Sequence, residues 1–175
     1  MKKAYESILN GDYEQAIAWF EQAIELEPNQ AAHHYKCSIT CARSGKWQKA
    51  LSHALQAVQL DEAKEEYRFQ LQTVQAKLLV TEAEAKLGLS EPDTDAAIEK
   101  LKTAAKLDPL NVDALLLLGA VYASLDCYDE AADFAKEAMR LDPMHSAAIR
   151  LFDDVQRKRQ RMRRIIVRKR KRKNR

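Results

Sequence analysis

The sequence contains little that would interrupt a helix. Among 175 residues there are four glycines and four prolines, and aromatic residues make up only 7%. Runs of β-branched residues, which favour strands, are nearly absent. Ala, Leu, Glu, Lys, Gln and Arg, which have high helix propensity, dominate instead. The composition therefore predicts an all-helical chain, long enough for one domain with a substantial core.

Features of secreted and membrane proteins are also missing. Three cysteines are an odd and small number, which argues against a disulfide framework and for a reducing compartment. Two lysines near the N-terminus precede no apolar run, so no signal peptide is predicted. The longest uncharged apolar run, Ala114 to Ala123, is far shorter than the roughly 20 residues of a membrane span. We expect a cytoplasmic location.

Acidic residues are absent from the C-terminal end. Residues 157–175 contain 13 Lys and Arg and no Asp or Glu, whereas residues 1–156 contain 16 basic and all 26 acidic residues. The net charge of +3 thus hides an acidic body that carries a basic tail.

Motifs for catalysis are missing as well. The four glycines are scattered and form no phosphate-binding loop, and there is no nucleophile elbow or His-Glu-x-x-His pair. Acid pairs such as Glu65 and Glu66 are typical of solvated helix faces. The sequence therefore predicts no enzyme, no catalytic residues and no cofactor.

What the sequence does contain is a repeat of 34 residues. Ala16 and Ala50 start two copies of the pattern Ala-x3-apolar-x2-Ala-x2-Leu, and Ala97 and Ala131 start two more. Alanines seven apart lie on one helix face, where small side chains let a second helix approach. In three copies a proline follows two residues after the leucine and ends the helix. Each period thus encodes a helix, a turn and a second helix.

These residues resemble the tetratricopeptide repeat family over roughly residues 4–156. The fourth unit matches the family pattern best, at Leu115, Leu118, Gly119, Tyr122, Tyr128, Ala131, Ala138 and Pro143. In the second unit Ser38 replaces the usual Gly, Cys41 the usual Tyr, and Glu62 the Pro. The resemblance implies a right-handed superhelix (an α-solenoid) of about four helix pairs, which binds proteins and does no chemistry.

The predicted boundaries follow from the repeat. We expect one repeat domain and a basic tail that is helical at first and then disordered, its last eight residues being disordered when free. The segments are units of about 1–29, 30–62, 63–110 and 111–144, a capping helix from 145 that completes the domain 1–156, and the tail 157–175.

Thirteen additional residues separate the second and third copies of the pattern. Residues 63–88 contain no proline, and they predict one elongated helix, with a bent or broken helix as the alternative. The part that overhangs its neighbours would pack on the C-terminal helix, form a homodimer with another protomer, or simply cap the core.

By resemblance, the first helix of each pair lines a concave groove that binds a peptide or helix of a partner protein. The groove residues are Tyr5, Ile8, Leu9, Tyr35, Ile39, Arg43, Leu116, Ala120 and Ser124. The carboxylate clamp of family members that bind acidic C-terminal tails is missing, since Lys36 stands where the clamp Asn belongs. Either a partner or the neighbouring repeats cover the apolar groove positions.

One group of residues has metal-ligand spacing. His34, Cys37 and Cys41 are three and four residues apart, so they share a helix face, and zinc sites use such residues. The same positions face the family's core, where cysteine acts as a small hydrophobe. Because no fourth ligand has useful spacing, the sequence predicts no metal site.

The tail predicts a polyanion-binding segment, for which RNA, a ribosome, DNA or an anionic membrane would qualify. The alternative is a tail that folds back on the acidic body or only aids solubility. Its cations are Arg157, Lys158, Arg159, Arg161, Arg163, Arg164, Arg168, Lys169, Arg170, Lys171, Arg172, Lys173 and Arg175.

Three functions remain open at this point. The first is a protein-binding scaffold or adaptor that uses the groove. The second is an RNA- or ribosome-associated factor that uses the tail, and the third is a peripheral scaffold on an anionic membrane.

Overall fold

The computed structural model describes the backbone of residues 2–173 and the side chains of residues 2–164, and these residues form helices and turns only. The chain divides into two compact units, Met1–Leu79 and Val80–Arg175. The described helices are α1 (Lys2–Leu9), α2 (Tyr13–Leu26), α3 (Ala31–Arg43), α4 (Trp47–Leu60), α5 (Glu65–Leu87), α6 (Thr94–Leu107), α7 (Val112–Ser124), α8 (Tyr128–Leu141) and α9 (Ser146–Lys173). The predicted all-α fold class is confirmed.

The second helix of every pair ends at the leucine of the repeat pattern, which is Leu26, Leu60, Leu107 or Leu141. In the second pair no proline follows, yet α4 still ends at Leu60. The side chain of Asp61 accepts a hydrogen bond from the backbone N–H of Ala63, at 3.2 Å. Such a local turn competes with the helix, and Asp108 and Asp142 form the same turn in copies that also have the proline.

The turns of the α1–α2, α3–α4 and α7–α8 hairpins use a left-handed backbone. Gly11 and Gly45 lie five residues before the first alanine of their repeat copies and have φ of 76° and 78°. Asp126 occupies the same position in the last hairpin, with φ of 60°. Glycine adopts this conformation without strain, and aspartate tolerates it better than most residues do. Its carboxylate also accepts a hydrogen bond from the hydroxyl of Tyr128, at 2.5 Å.

Unit 1 packs two hairpins and the first part of α5 around one core. Ile17 and Phe20 of α2, together with Ala50 of α4 and Val74 of α5, are buried in it. Ser38 is also fully buried, and its hydroxyl donates to the backbone oxygen of Ala50 at 2.8 Å. This bond explains how a polar residue is tolerated where the family usually has glycine.

Unit 2 packs the end of α5 with α6 to α9. Leu101, Leu118 and Val155 are buried there, and α9 covers the last hairpin. A Cβ built on Gly119 would lie 3.3 Å from the backbone oxygen of Ala131 and 2.8 Å from Cδ2 of Leu151. The glycine therefore permits the close approach of α7 to α8 and α9.

The structure describes the predicted long helix and part of the basic tail. α5 is a single unbroken helix of 23 residues. The predicted repeat units and the domain 1–156 stay predictions, as does disorder at the end of the tail. Met1, Asn174, Arg175 and the side chains from 165 onward lie outside the described residues. Among the described helices, none is both long and apolar enough for a membrane span.

Replacing Leu118 by alanine tests the core of unit 2. Leu118 is fully buried, so Leu118→Ala should lower the free energy of unfolding by about 2–5 kcal/mol through lost burial and a cavity. Leu110, which is 67% exposed, provides the matched control, and Leu110→Ala should change it by less than about 0.5 kcal/mol. Urea unfolding followed by circular dichroism measures both, and equal effects would contradict the packing described.

Candidate protein-binding cleft and a buried thiol–imidazole cluster

A cleft of about 190 Å³ opens between the helices of unit 1. Four predicted groove residues line it, and Phe20, Lys36 and Thr40 complete the described lining. The four are Tyr5 and Ile8 of α1 and Ile39 and Arg43 of α3. They lie on first helices of consecutive pairs, and this brings residues more than 30 positions apart in sequence to one site.

The cleft combines an apolar floor with positive charge. Ile8 and Ile39 supply the apolar surface above the buried ring of Phe20, and Lys36 and Arg43 supply two cations. The ammonium of Lys36 lies 5.4 Å from the ring centroid of Tyr5, within the range of a cation–π contact. Because no described lining residue is acidic, the cleft favours a ligand that carries negative charge beside an apolar group.

Two further predicted groove residues of unit 1 lie outside the described lining of this cleft. Leu9, the last residue of α1, is 86% exposed. The ring of Tyr35 packs against the ring of Tyr67 on α5, with centroids 4.9 Å apart. Burial, and then the charge of Glu66, raises the pKa of Tyr35. These contacts make Tyr35 part of the packing between α3 and α5.

The remaining predicted groove residues lie on α7 of unit 2. Ala120 and Ser124 are exposed. Leu116 instead packs partly buried against the cluster formed by Leu115, Ala138 and Ala148. A charge at Leu116 would therefore disturb the core of unit 2, and this position is a poor choice for testing ligand binding alone.

The first turn of the basic tail contacts α8 within unit 2. Arg159 forms an ion pair with Asp129 at the start of α8, at 2.6 Å. The ammonium of Lys158 lies 6.0 Å from the ring centroid of Tyr128. Farther along α9, the described tail cations Arg161, Arg163 and Arg164 are exposed.

A second group of functional side chains lies buried between α3 and α4. The two thiol sulfurs of Cys37 and Cys41 and one ring nitrogen of His53 lie within 4.8 Å of one another. Both cysteines are fully buried, and His53 is half-buried. The sequence pointed to His34, Cys37 and Cys41; it gave no signal for His53, because only the packing of α4 on α3 places that ring there.

His34 lies next to this group. Its Nδ1 is 3.2 Å from Nδ1 of His53, and its Nε2 is 3.3 Å from the backbone oxygen of Pro28. Burial, and then the charge of His34, lowers the pKa of His53, which favours the neutral form of that ring. The hydrogen bond with Cys41, and then burial, raises the pKa of the Cys37 thiol.

Consecutive helical hairpins with alanine at their contacts define an α-helical repeat protein, and the comparisons with known families agree. Residues 6–39 match the TPR repeat family, and residues 82–144 match the tetratricopeptide repeat family. The two matches together cover more than half of the 175 residues. The chain belongs to the tetratricopeptide repeat family. Proteins of this family are generally non-enzymatic scaffolds for protein–protein interaction.

Solved structures confirm the tetratricopeptide solenoid fold. A crystal structure of the MamA protein is 20% identical, and the match covers 89% of this chain and 78% of that one with a TM-score of 0.51. A structure of MamA from AMB-1 is 18% identical, covers 91% and 80%, and has the same TM-score. A tetratricopeptide repeat protein from Parabacteroides merdae ATCC 43184 is 18% identical, with coverage of 91% and 59% and a TM-score of 0.50. Among curated proteins, none matches.

Proposed function

We propose that this chain is a non-enzymatic, cytoplasmic adaptor whose unit 1 cleft binds a segment of another protein. The partner segment carries one large apolar side chain flanked by acidic residues. The observation that carries this proposal is the convergence of Tyr5, Ile8, Ile39 and Arg43, predicted from two different repeats, on one cleft. Its volume of about 190 Å³ is below the range typical of small-molecule sites and fits a single side chain better.

The positive charge of the cleft determines which residues should flank the apolar side chain of the partner segment. Lys36 and Arg43 both line the cleft, and Arg43 is exposed at the end of α3. An acidic partner residue would pair with them, while the ring of Tyr5, 43% exposed, offers apolar contact beside the charge. Such complementarity contributes mainly to specificity and to the rate of association. The family's carboxylate clamp is missing here, so an internal segment is favoured over a C-terminal tail.

Reversing the charge of Arg43 tests the cleft. Peptides with a single Leu, Ile or Phe between acidic residues should bind the full chain, and Arg43→Glu should weaken binding about tenfold or more, since attraction becomes repulsion. Fluorescence polarisation of labelled peptides measures the affinity. Arg140 of α8 is paired with Glu137 and exposed, so Arg140→Glu is the matched control and should leave binding unchanged.

The same affinity measurement also gives the outcome that would contradict the proposed binding site. If the acidic peptides bind Arg43→Glu as tightly as the native chain, the cleft is not their site. The same holds if peptides whose acidic residues are replaced by Asn and Gln bind equally well.

The exposed cations of α9 support a second candidate, binding of RNA. After Asp154 the chain contains no acidic residue, and Arg161, Arg163 and Arg164 are exposed on a helix that continues to Lys173. An array of cations along one helix releases counterions when it meets a phosphate backbone. No aromatic residue lies in residues 157–175, so recognition would be independent of base sequence.

Truncation after Gln160 tests this candidate and keeps the contact of Arg159 with Asp129. The truncated chain should lose nearly all affinity for a single-stranded RNA, and affinity of the full chain should fall steeply between low and moderate salt. Electrophoretic mobility shift at two salt concentrations measures both effects. RNA binding that survives truncation would contradict the candidate, as would binding to anionic vesicles without binding to RNA.

A further inference from the structure

The thiol–imidazole cluster of unit 1 takes no part in the proposed cleft, and its residues have the chemistry of a metal site. We propose that Cys37, Cys41 and His53 bind one zinc ion, with His34 as the residue that orients His53. The sequence indicated His34, Cys37 and Cys41 without a fourth ligand; in the structure His53 of α4 takes the place of His34 as the third protein ligand.

The distances fit a zinc ion. Zinc binds thiolate sulfur at about 2.3 Å and imidazole nitrogen at about 2.0–2.1 Å, so neighbouring ligand atoms in a tetrahedral site lie about 3.3–3.8 Å apart. In the protein the two sulfurs and one ring nitrogen of His53 are already within 4.8 Å of one another. Cys37 and Cys41 are one helical turn apart on α3, so small side-chain rotations bring both sulfurs and the ring nitrogen to these distances.

Hydrogen bonding fixes the ring of His53 in a suitable tautomer. The backbone oxygen of Pro28 can only accept, so Nε2 of His34 carries the proton and donates to it at 3.3 Å. Nδ1 of neutral His34 is then an acceptor, and Nδ1 of His53, 3.2 Å away, must donate to it. The proton of His53 therefore resides on Nδ1, and Nε2 keeps a free lone pair for a metal. Metal-ligating histidines usually donate their other N–H in this way.

The ligand types select the metal. Two thiolates and an imidazole suit zinc, whereas magnesium and calcium prefer oxygen ligands. Zinc binding releases the two thiol protons to solvent, and the resulting group of one divalent cation and two thiolates is neutral. A neutral group avoids the cost of a net charge in the core around Phe20 and Ile17. Half-buried His53 leaves a route for the ion and a water in the fourth position.

The experiment titrates cobalt(II), a spectroscopic substitute for zinc, into the reduced, metal-free full chain. One cobalt per chain should bind with a thiolate-to-cobalt charge-transfer band in the near ultraviolet, and one equivalent of zinc should remove the band. Cys37→Ser, Cys41→Ser and His53→Asn should each lose most of the band intensity. Cys127, the third cysteine, lies on the other unit, so Cys127→Ser is the matched control and should retain the full signal.

The orienting role of His34 has its own readout. His34→Phe keeps a ring of similar size without nitrogen, and it should weaken cobalt affinity by about 10–100-fold while leaving the charge-transfer band in place. Loss of the band in this variant, or an unchanged affinity, would contradict the role assigned to His34.

Measurements on the native chain alone are enough to contradict the proposed zinc site. If the folded, reduced protein binds cobalt without a thiolate band, or binds none, Cys37 and Cys41 are core residues and the proposal is wrong. A Cys37–Cys41 disulfide found by mass spectrometry in protein purified without reductant and without bound zinc would also overturn it. Variants that fail to fold do not affect these measurements.

Discussion

The structure depends on the close approach of helices at alanine. Ala16, Ala50, Ala97 and Ala131, the first alanines of the four repeat copies, are all fully buried. A side chain of one carbon lets two helix backbones come near enough for dense packing, which larger residues would prevent. The same constraint reaches Gly119, where even a single added carbon would meet the backbone of Ala131. Each hairpin is thus held by an interface with little room for change.

This constraint also explains where functional residues are found. Small residues fill the contacts inside a hairpin, so the larger apolar and charged side chains of α1 and α3 are left to line the cleft of unit 1. Two buried polar side chains of α3 illustrate how such groups are accommodated. Ser38 binds the backbone of Ala50, and the buried imidazole of His34 contacts Pro28 and His53. Two sites of different chemistry, an open cleft and a buried thiol–imidazole cluster, therefore use the two faces of α3.

Sequence periodicity was sufficient for the fold because the repeat encodes local rules. The alanine spacing, the leucine at each helix end and the long uninterrupted segment of α5 can all be read without knowing distant contacts. Proline alone does not predict every helix end. No proline follows α4, and the side chain of Asp61 accepts a hydrogen bond in the turn that ends this helix. Local sequence determines such ends, but through several kinds of residue.

The sites were harder to predict because they depend on which helix faces touch. Family resemblance pointed to Tyr5, Ile8, Ile39 and Arg43, but gave no sign that Leu116 packs into a core cluster or that Tyr35 pairs with Tyr67. His53 could have been noticed only by pairing the inward face of α4 with that of α3 before looking for ligands. Contacts across helices carry this information, and spacing along one helix does not.

The central claim is that buried alanines hold the hairpins together, and one substitution made at two places tests it most directly. Ala50→Leu places a large side chain in the α3–α4 contact, and Ala120→Leu places the same side chain on an exposed face of α7. We predict that Ala50→Leu lowers the free energy of unfolding by about 1–3 kcal/mol and that Ala120→Leu changes it by less than about 0.5 kcal/mol. An Ala50→Leu protein as stable as the native chain in urea unfolding would contradict the account.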